Sequence, residues 1–306
     1  MYITAFRIDY RVYQKYAQYL YIAAVIALIL VLIIGVSRGG AKRWFNLGLF
    51  TIQPSEIAKI IIIIAISDFI SRKQKLLNDM KTVVGAAIII AIMIIPIGLE
   101  PDLGAPILIS SVCIAMLFCA GISLKMISMF FLGGLLIVIE ECLREPYRFA
   151  RIKNYFSSLV NIDASSYQLK QSINALGSGG FFGKGIGNSD LKQMYLPEAH
   201  TDFIFPIIGE EFGFLGAAVL ISAFIYIFIK GVKISKNAHD EFSRNLALGI
   251  TLLIIFQAII NLAVATGLFP TKGLVLPFIS FGGTALITNM ALVGILLNIS
   301  KNKKNR

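Results

Sequence analysis

Long, almost uninterrupted apolar runs constrain this chain more than any other feature of its sequence. A helix needs about 20 mostly apolar residues to cross the hydrocarbon core of a bilayer. Runs of that length recur along the chain, and the breaker Glu-Pro-Asp at residues 100–102 separates two of them. We predict eight membrane-spanning helices, at about 17–36, 54–71, 82–99, 103–121, 124–142, 203–229, 246–267 and 277–299.

The composition supports the same fold class. The chain has 306 residues, of which 57% are hydrophobic, and its mean hydropathy is +0.79. A soluble domain of this size has too little interior to bury so much apolar surface. A β-barrel is excluded as well, because its strands would alternate apolar and polar residues. We therefore expect an all-α, polytopic integral membrane protein that forms one membrane domain over residues 1–306.

Lysine and arginine predict the orientation. The segments around 72–81, 125 and 230–244, together with both termini, hold 16 of the 28 basic residues. Because cytoplasmic loops carry the excess of basic residues, we expect both termini in the cytoplasm. The net charge of +11 then reflects this bias and contact with anionic lipid, and no nucleic-acid partner is predicted.

One long segment, residues 143–201, falls on the opposite, extracytoplasmic face. Within it Leu169, Ile173 and Leu176 recur at helical spacing, which predicts a helix lying on the membrane surface. A solvated connector is the alternative. Loops of this length in compact proteins are usually functional or disordered, and the aromatic content of this one disfavours disorder.

The run from Tyr195 to Ala217, YLPEAHTDFIFPIIGEEFGFLGA, places four carboxylates and a histidine where that segment enters an apolar helix. An aspartate at mid-membrane costs roughly 2.5–3.5 kcal/mol on insertion scales, so a functional role is the default interpretation. Asp202 is our candidate general base, and N-capping is its structural alternative. The supporting residues are Glu198, His200, Glu210 and Glu211, and we interpret the last two as structural partners of basic groups.

Basic side chains near the same face are candidates for binding an anionic group. Glu56 and Lys59 lie three residues apart and share a helix face, so Lys59 either forms a structural ion pair or presents a cation to phosphate. Arg43 precedes the only tryptophan, as either an interfacial anchor or a phosphate ligand. Lys272 lies in a broken entry to the last span, and Asp102 begins a span where the helix dipole favours it. No metal-ligand spacing is present.

Six ordered blocks resemble the SEDS family (shape, elongation, division and sporulation) of bacterial membrane proteins. They are GGAKRWFNLGLFTIQPSEIAK, PDLGAPILI, YRFARI, YQLKQSINALGSGGFFGKGIGNS, YLPEAHTDFIFPIIGEEFGFLG and LFPTKGLVLPFISFGGTAL. They span nearly the whole chain. LPEAHTDFIF and PTKGL are more similar to the division branch, FtsW, than to the elongation branch, RodA.

The resemblance implies a peptidoglycan glycosyltransferase that polymerises lipid II on the outer face of the bacterial cytoplasmic membrane. Its partner would be a class B penicillin-binding protein, alongside other division or elongation proteins. The family's essential aspartate corresponds to Asp202, which would deprotonate the acceptor 4-hydroxyl as undecaprenyl pyrophosphate leaves. Arg43, Lys59 and Lys272 would neutralise the pyrophosphate by our electrostatic inference. A divalent cation there is compatible with the family, but the sequence shows no ligand set for it.

The chain departs from the family pattern at its beginning. Family members usually have ten spans, and the run beginning at Ala17 resembles their third, so we expect the first two to be missing. Phe281 and Thr284 stand where tyrosine and serine are commoner, and EPDLGAP stands where glutamine and threonine usually flank the aspartate. A lipid II flippase and a non-catalytic scaffold of the division machinery are the alternative functions.

Overall fold

The computed structural model describes residues 6–38, 41–46, 48, 51–100, 104–129, 132–134, 167–193, 202–270 and 273–302. The helices before the long loop are α1 (Tyr10–Ile34), α2 (Pro54–Lys73), α3 (Met80–Leu99) and α4 (Gly104–Cys119). Those after it are α5 (Tyr167–Ser178), α6 (Asp190–Gln193), α7 (Ile204–Lys236), α8 (Glu241–Ala265) and α9 (Gly283–Lys301). Three short strands lie between α1 and α2: β1 (Val36–Arg38), β2 (Ala41–Asn46) and β3 (Thr51–Ile52).

Five helices in the described part of the chain are long and apolar enough to cross a membrane: α1, α3, α7, α8 and α9. The all-α, multi-pass fold class is therefore confirmed. Helix α2 has the same length as α3 but carries Glu56, Lys59 and Asp68, and α4 is only 16 residues long. The span predicted at 124–142 falls largely outside the described residues.

Two helices begin away from the starts of the predicted spans, and for the last of them the broken entry predicted there is present. Helix α1 begins at Tyr10, seven residues before the predicted start, because the Asp9 side chain accepts a hydrogen bond from the Arg11 N–H and caps the helix. Helix α9 begins at Gly283 instead of residue 277. The apolar residues before it form an irregular segment, where Phe278 has a φ of 67° that is unusual for a side chain of its size.

The small antiparallel sheet is absent from the sequence-based prediction. Val36 pairs with Trp44 across β1 and β2, and Phe45 pairs with Ile52 across β2 and β3. The order is β1-β2-β3, so each strand pairs with the next along the chain. Strands β1 and β3 are too short for an alternating pattern to be visible in sequence, and the six residues of β2, AKRWFN, do not alternate.

The chain divides into two compact units. The first comprises Met1–Ile127, Ile227–Phe256 and Gly282–Arg306. It contains the sheet, α1 to α4, α9 and parts of α7 and α8. Tyr10 joins three of its segments, because its N–H donates to the Asn298 side chain at 3.1 Å and its hydroxyl donates to Asp240 at 2.6 Å.

The second unit comprises Ser128–Tyr226 and Gln257–Phe281. A buried cluster of Ala175, Leu191, Phe203 and Ile207 joins α5 and α6 to the beginning of α7. The helix predicted over 169–176 is confirmed as α5, whereas its position on a membrane surface stays a prediction. The single membrane domain expected over residues 1–306 also stays a prediction.

Helix α7 is broken at Gly213, where the backbone has φ 66° and ψ −160°. A break inside an apolar span leaves main-chain groups without helical partners, and each such group costs several kcal/mol in lipid. Here the loop between α5 and α6 supplies the partners through four backbone hydrogen bonds of 2.9–3.3 Å. They join Lys184 N–H to Glu210 O, Gly185 N–H to Glu211 O, Phe214 N–H to Gly180 O, and Leu215 N–H to Phe181 O.

Candidate functional site

Asp202 lies two residues before α7 and is half-buried. Its main-chain carbonyl accepts a 3.0 Å hydrogen bond from the side-chain amide of Asn261 in α8. Its carboxylate packs directly against Gly273, where an added Cβ would lie 2.9 Å from Oδ2. The main chain of Asp202 is therefore held by a hydrogen bond, and its carboxylate has a close neighbour in Gly273, both within the second unit.

The irregular segment that follows Gly273 is held by the same face of α8. Asn261 also donates to the Leu274 carbonyl at 2.6 Å, and Gln257, one turn earlier, donates to the Val275 carbonyl at 2.8 Å. Ser280 accepts from the Leu276 N–H at 2.7 Å. Irregular backbone within an apolar region is tolerated when protein groups satisfy it, and these side chains do so.

Glu210 is buried and lies at the centre of a second polar cluster. Its carboxylate accepts hydrogen bonds of 2.6–3.3 Å from five donors. They are the hydroxyls of Ser178 and Ser189, the ammonium of Lys184, and the N–H groups of Asp190 and Leu191. A carboxylate with so many protein donors stabilises the fold of this region and is poorly suited to proton transfer.

Lys184 connects that cluster to solvent. Its ammonium contacts Asp190 at 2.6 Å and Glu210 at 2.7 Å. Hydrogen bonds to Asp190 and then to Glu210 raise the pKa of Lys184 above its usual range. Lys184 therefore stays charged and keeps the loop attached to the α7 region at any physiological pH.

In the first unit, the predicted pair of Glu56 and Lys59 is present. The ammonium of Lys59 contacts Oε1 of Glu56 at 2.7 Å, and the lysine is only 1% exposed. Pro54 begins α2, and Glu56 lies in its first turn, where the helix dipole favours a carboxylate. Arg43 is half-buried on β2 of the same unit.

Most of the other predicted site residues have no described position. Glu211 is buried in α7 beside the break. Asp102, Glu198, His200 and Lys272 lie outside the described residues. Within the described ranges, no group of three or more histidine, cysteine, aspartate or glutamate side chains is arranged to hold a metal ion. The described residues therefore supply no ligand set for a divalent cation.

A family model described as a cell cycle protein, FtsW/RodA/SpoVE, matches residues 1–305. The chain belongs to this family. It is 41% identical to a probable peptidoglycan glycosyltransferase FtsW of Trichlorobacter lovleyi, over 99% of this chain and 80% of that protein. It is 37% identical to the protein of the same description in Coxiella burnetii, over 99% of this chain and 83% of that one. Within the SEDS family the chain is therefore closer to FtsW.

Solved structures support the family fold. The chain is similar to one from a study titled "Structural coordination of polymerization and crosslinking by a peptidoglycan synthase complex", with a TM-score of 0.80 and 24% identity over 100% of this chain and 86% of that one. It is also similar to the rod shape determining protein RodA of Thermus thermophilus, with a TM-score of 0.72 and 24% identity over 100% and 84% of the two chains. At this identity the likeness shows a shared fold.

Three residues that hold the backbone around the candidate site were missed from the sequence. Asn261 and Gln257 are amides four residues apart in an apolar helix, and polar residues within a span are a recognised signal that we did not use. Lys184 lies 26 residues from Glu210, and no local pattern relates the two.

Proposed function

We propose that this chain is a peptidoglycan glycosyltransferase that polymerises lipid II, with Asp202 as the general base. The observation that carries this proposal is the carboxylate of Asp202 at the mouth of an apolar helix, packed on Gly273 and tied through its main chain to Asn261. A general base must hold a fixed position within hydrogen-bond reach of the proton it accepts. The description of the FtsW relatives as probable peptidoglycan glycosyltransferases supports the reaction class.

In the proposed reaction, the 4-hydroxyl oxygen of the acceptor sugar attacks the anomeric carbon of the donor. Its proton passes to the Asp202 carboxylate as the new glycosidic bond forms. The bond between the anomeric carbon and the pyrophosphate oxygen breaks, and undecaprenyl pyrophosphate leaves with the electron pair. The product is a β-1,4-linked glycan, one disaccharide longer.

The leaving group needs positive charge, which we assign to Arg43, Lys59 and Lys272. A guanidinium matches phosphate oxygens in bidentate geometry, which suits the half-buried Arg43. Lys59 carries three ammonium protons, of which Glu56 accepts one. The lysine can therefore also donate to a phosphate oxygen. Because Lys59 is deeply buried, neighbouring side chains must move before its ammonium can contact a phosphate oxygen. We therefore expect this contact to form only after the substrate has bound.

The proposed setting is the bacterial cytoplasmic membrane, with both termini in the cytoplasm and Asp202 on the outer face. The basic loops support that orientation. We propose a class B penicillin-binding protein as the partner that crosslinks the strands, with further division or elongation proteins around the pair. The similarity to a chain from a study of a peptidoglycan synthase complex supports such an assembly.

A lipid II flippase is the second candidate, and the break of α7 at Gly213 is the observation that favours it. Broken membrane helices are common at the substrate sites of transporters. In this chain, however, the loop between α5 and α6 satisfies the break with four backbone hydrogen bonds. A break whose backbone groups are already hydrogen-bonded suits a rigid site better than a helix that must move to transport lipid.

The test uses the purified full chain with a class B penicillin-binding protein and labelled lipid II. We expect glycan ladders with the unmodified chain and a loss of roughly 10²–10⁴-fold in rate with the isosteric variant Asp202→Asn. Asp9→Asn is the matched control, because asparagine also caps a helix and this exposed residue lies at the start of α1. Ladders that persist in Asp202→Asn would exclude the base assignment. Lipid movement across liposomes without polymer would favour the flippase.

A further inference from the structure

Asn261 connects two segments that are distant in sequence. It lies in α8, four residues before the helix ends, and only 2% of it is exposed. Its Nδ2 donates to the Asp202 carbonyl at 3.0 Å and to the Leu274 carbonyl at 2.6 Å. Because both partners are carbonyl oxygens, only the amide nitrogen can face them, and the orientation of the side chain is determined.

The carboxylate of Asp202 contacts Gly273, which directly precedes the residue that Asn261 holds. A Cβ at residue 273 would meet Oδ2 of Asp202 at 2.9 Å and its Cγ at 3.7 Å. The carboxylate therefore rests on the backbone immediately before Leu274, the residue that Asn261 holds. One side chain thus fixes both the main chain of Asp202 and the surface against which its carboxylate packs.

We propose that Asn261 is a positioning residue for Asp202. This inference rests on the proposed function, because it assigns Asn261 a part in holding the general base. An error of about 1 Å in the position of a catalytic group can cost 10²-fold in rate. Loss of the two amide hydrogen bonds frees Asp202 and the segment from Gly273 to Leu274 to move independently.

Gln257 provides an internal control. It lies one turn before Asn261 on the same face of α8, is 1% exposed, and holds the Val275 carbonyl at 2.8 Å. Both amides stabilise the same irregular segment from within the apolar helix, and Asn261 alone of the two is bonded to Asp202. A role limited to fold stability predicts similar consequences for Asn261→Ala and Gln257→Ala.

The first measurement is polymerisation of lipid II by the full chain with its penicillin-binding partner, with variants matched by their monodisperse fraction. We expect Asn261→Ala to lower kcat about 10–100-fold with KM within about twofold of the unmodified chain. Asn261→Leu, which keeps the approximate shape and has no donor, should behave similarly. Gln257→Ala should leave kcat within about threefold. Equal losses of kcat in the two alanine variants, or a rise in KM alone, would overturn the proposal.

The second measurement is independent of activity. Cys113, Cys119 and Cys142 are replaced by alanine, Asp202→Cys is introduced, and the rate of maleimide labelling is recorded in detergent. We expect Asn261→Ala to change that rate at least fivefold and Gln257→Ala to leave it within twofold. The same rate in all three backgrounds would overturn the positioning role. If labelling changes as expected but the unmodified chain, with Asp202 in place, makes no polymer, the positioning role at residue 202 is supported and the proposed function is overturned.

Discussion

Replacing Gly213 by alanine should release the loop that bridges the break in α7. The φ and ψ angles of Gly213 belong to a region used almost only by glycine, which costs other residues about 1–3 kcal/mol. An alanine Cβ would also lie 2.6 Å from the Phe181 carbonyl oxygen and would overlap the backbone nitrogen of Gly183. Overpacking of this kind costs typically about 1–3 kcal/mol more. The two effects together predict a destabilisation of about 2–6 kcal/mol.

Gly187→Ala separates the two contributions. Gly187 also has a positive φ, of 84°, but no atom outside its chain neighbours lies within 4 Å of the Cβ position. It should therefore show the conformational cost alone, about 1–2 kcal/mol. The difference between the two variants measures how tightly the loop packs into the break.

The assay is the labelling of a buried thiol, introduced by Ala175→Cys in the cysteine-free background. Ala175 lies in the buried cluster of the second unit, so its labelling reports opening of that region. Because each 1.4 kcal/mol corresponds to a tenfold change in population, we expect labelling in Gly213→Ala at least tenfold faster than in Gly187→Ala. Rates that agree within a factor of three would refute the idea that loop packing fixes the break.

Two further predictions concern the first unit. Lys59→Met should destabilise the chain by about 3–5 kcal/mol, because it leaves the carboxylate of Glu56 without its buried partner. Adding Glu56→Gln to Lys59→Met should restore part of that stability, measured by unfolding in detergent. It should not restore polymerisation if Lys59 contacts phosphate. Restored polymerisation would show that the pair is purely structural. Burial raises the pKa of Asp240, but hydrogen bonds from Ser243 and the Tyr10 hydroxyl outweigh it and lower that pKa below its ordinary value of 3.8. The stability this carboxylate contributes is therefore present above pH 3.8 and lost as the pH falls through the lowered pKa. Melting temperatures from roughly pH 6 to pH 3 should show this loss, and an identical profile for Asp240→Asn would contradict it.

Hydropathy predicted the membrane helices because the free energy of burying a helix in lipid depends on its composition more than on the side chains that it contacts. It misplaced the start of α1, where Asp9 and Tyr10 begin a helix through a cap and a hydrogen bond to Asn298 that no apolar count includes. It also misplaced the start of α9, because the apolar residues before Gly283 do not form a helix. Residues 277–282 are apolar or small, yet the chain there is irregular, beginning where side chains of α8 satisfy the preceding carbonyls.

The candidate site was also predictable only in part. The pair of Glu56 and Lys59 was predictable, because a three-residue spacing fixes a helix face. Asp202 as the site residue stays a prediction, which rests on the cost of a charge beside an apolar span. The roles of Lys184 and Asn261 were not predictable, since each contacts residues more than ten positions away. Spacing along a helix carries no information about which loop packs against it.

The break in α7 also bears on how the chain enters the membrane. A straight α7 satisfies its own backbone, whereas a broken α7 needs the loop that precedes it in the chain. Residues 180–185 leave the ribosome before residues 210–215, so the bridging segment already exists when the helix is inserted. The helix can therefore cross the membrane in its straight form and bend at Gly213 only when the loop docks. We therefore expect docking of that loop to follow insertion and to complete the backbone hydrogen bonding around Gly213.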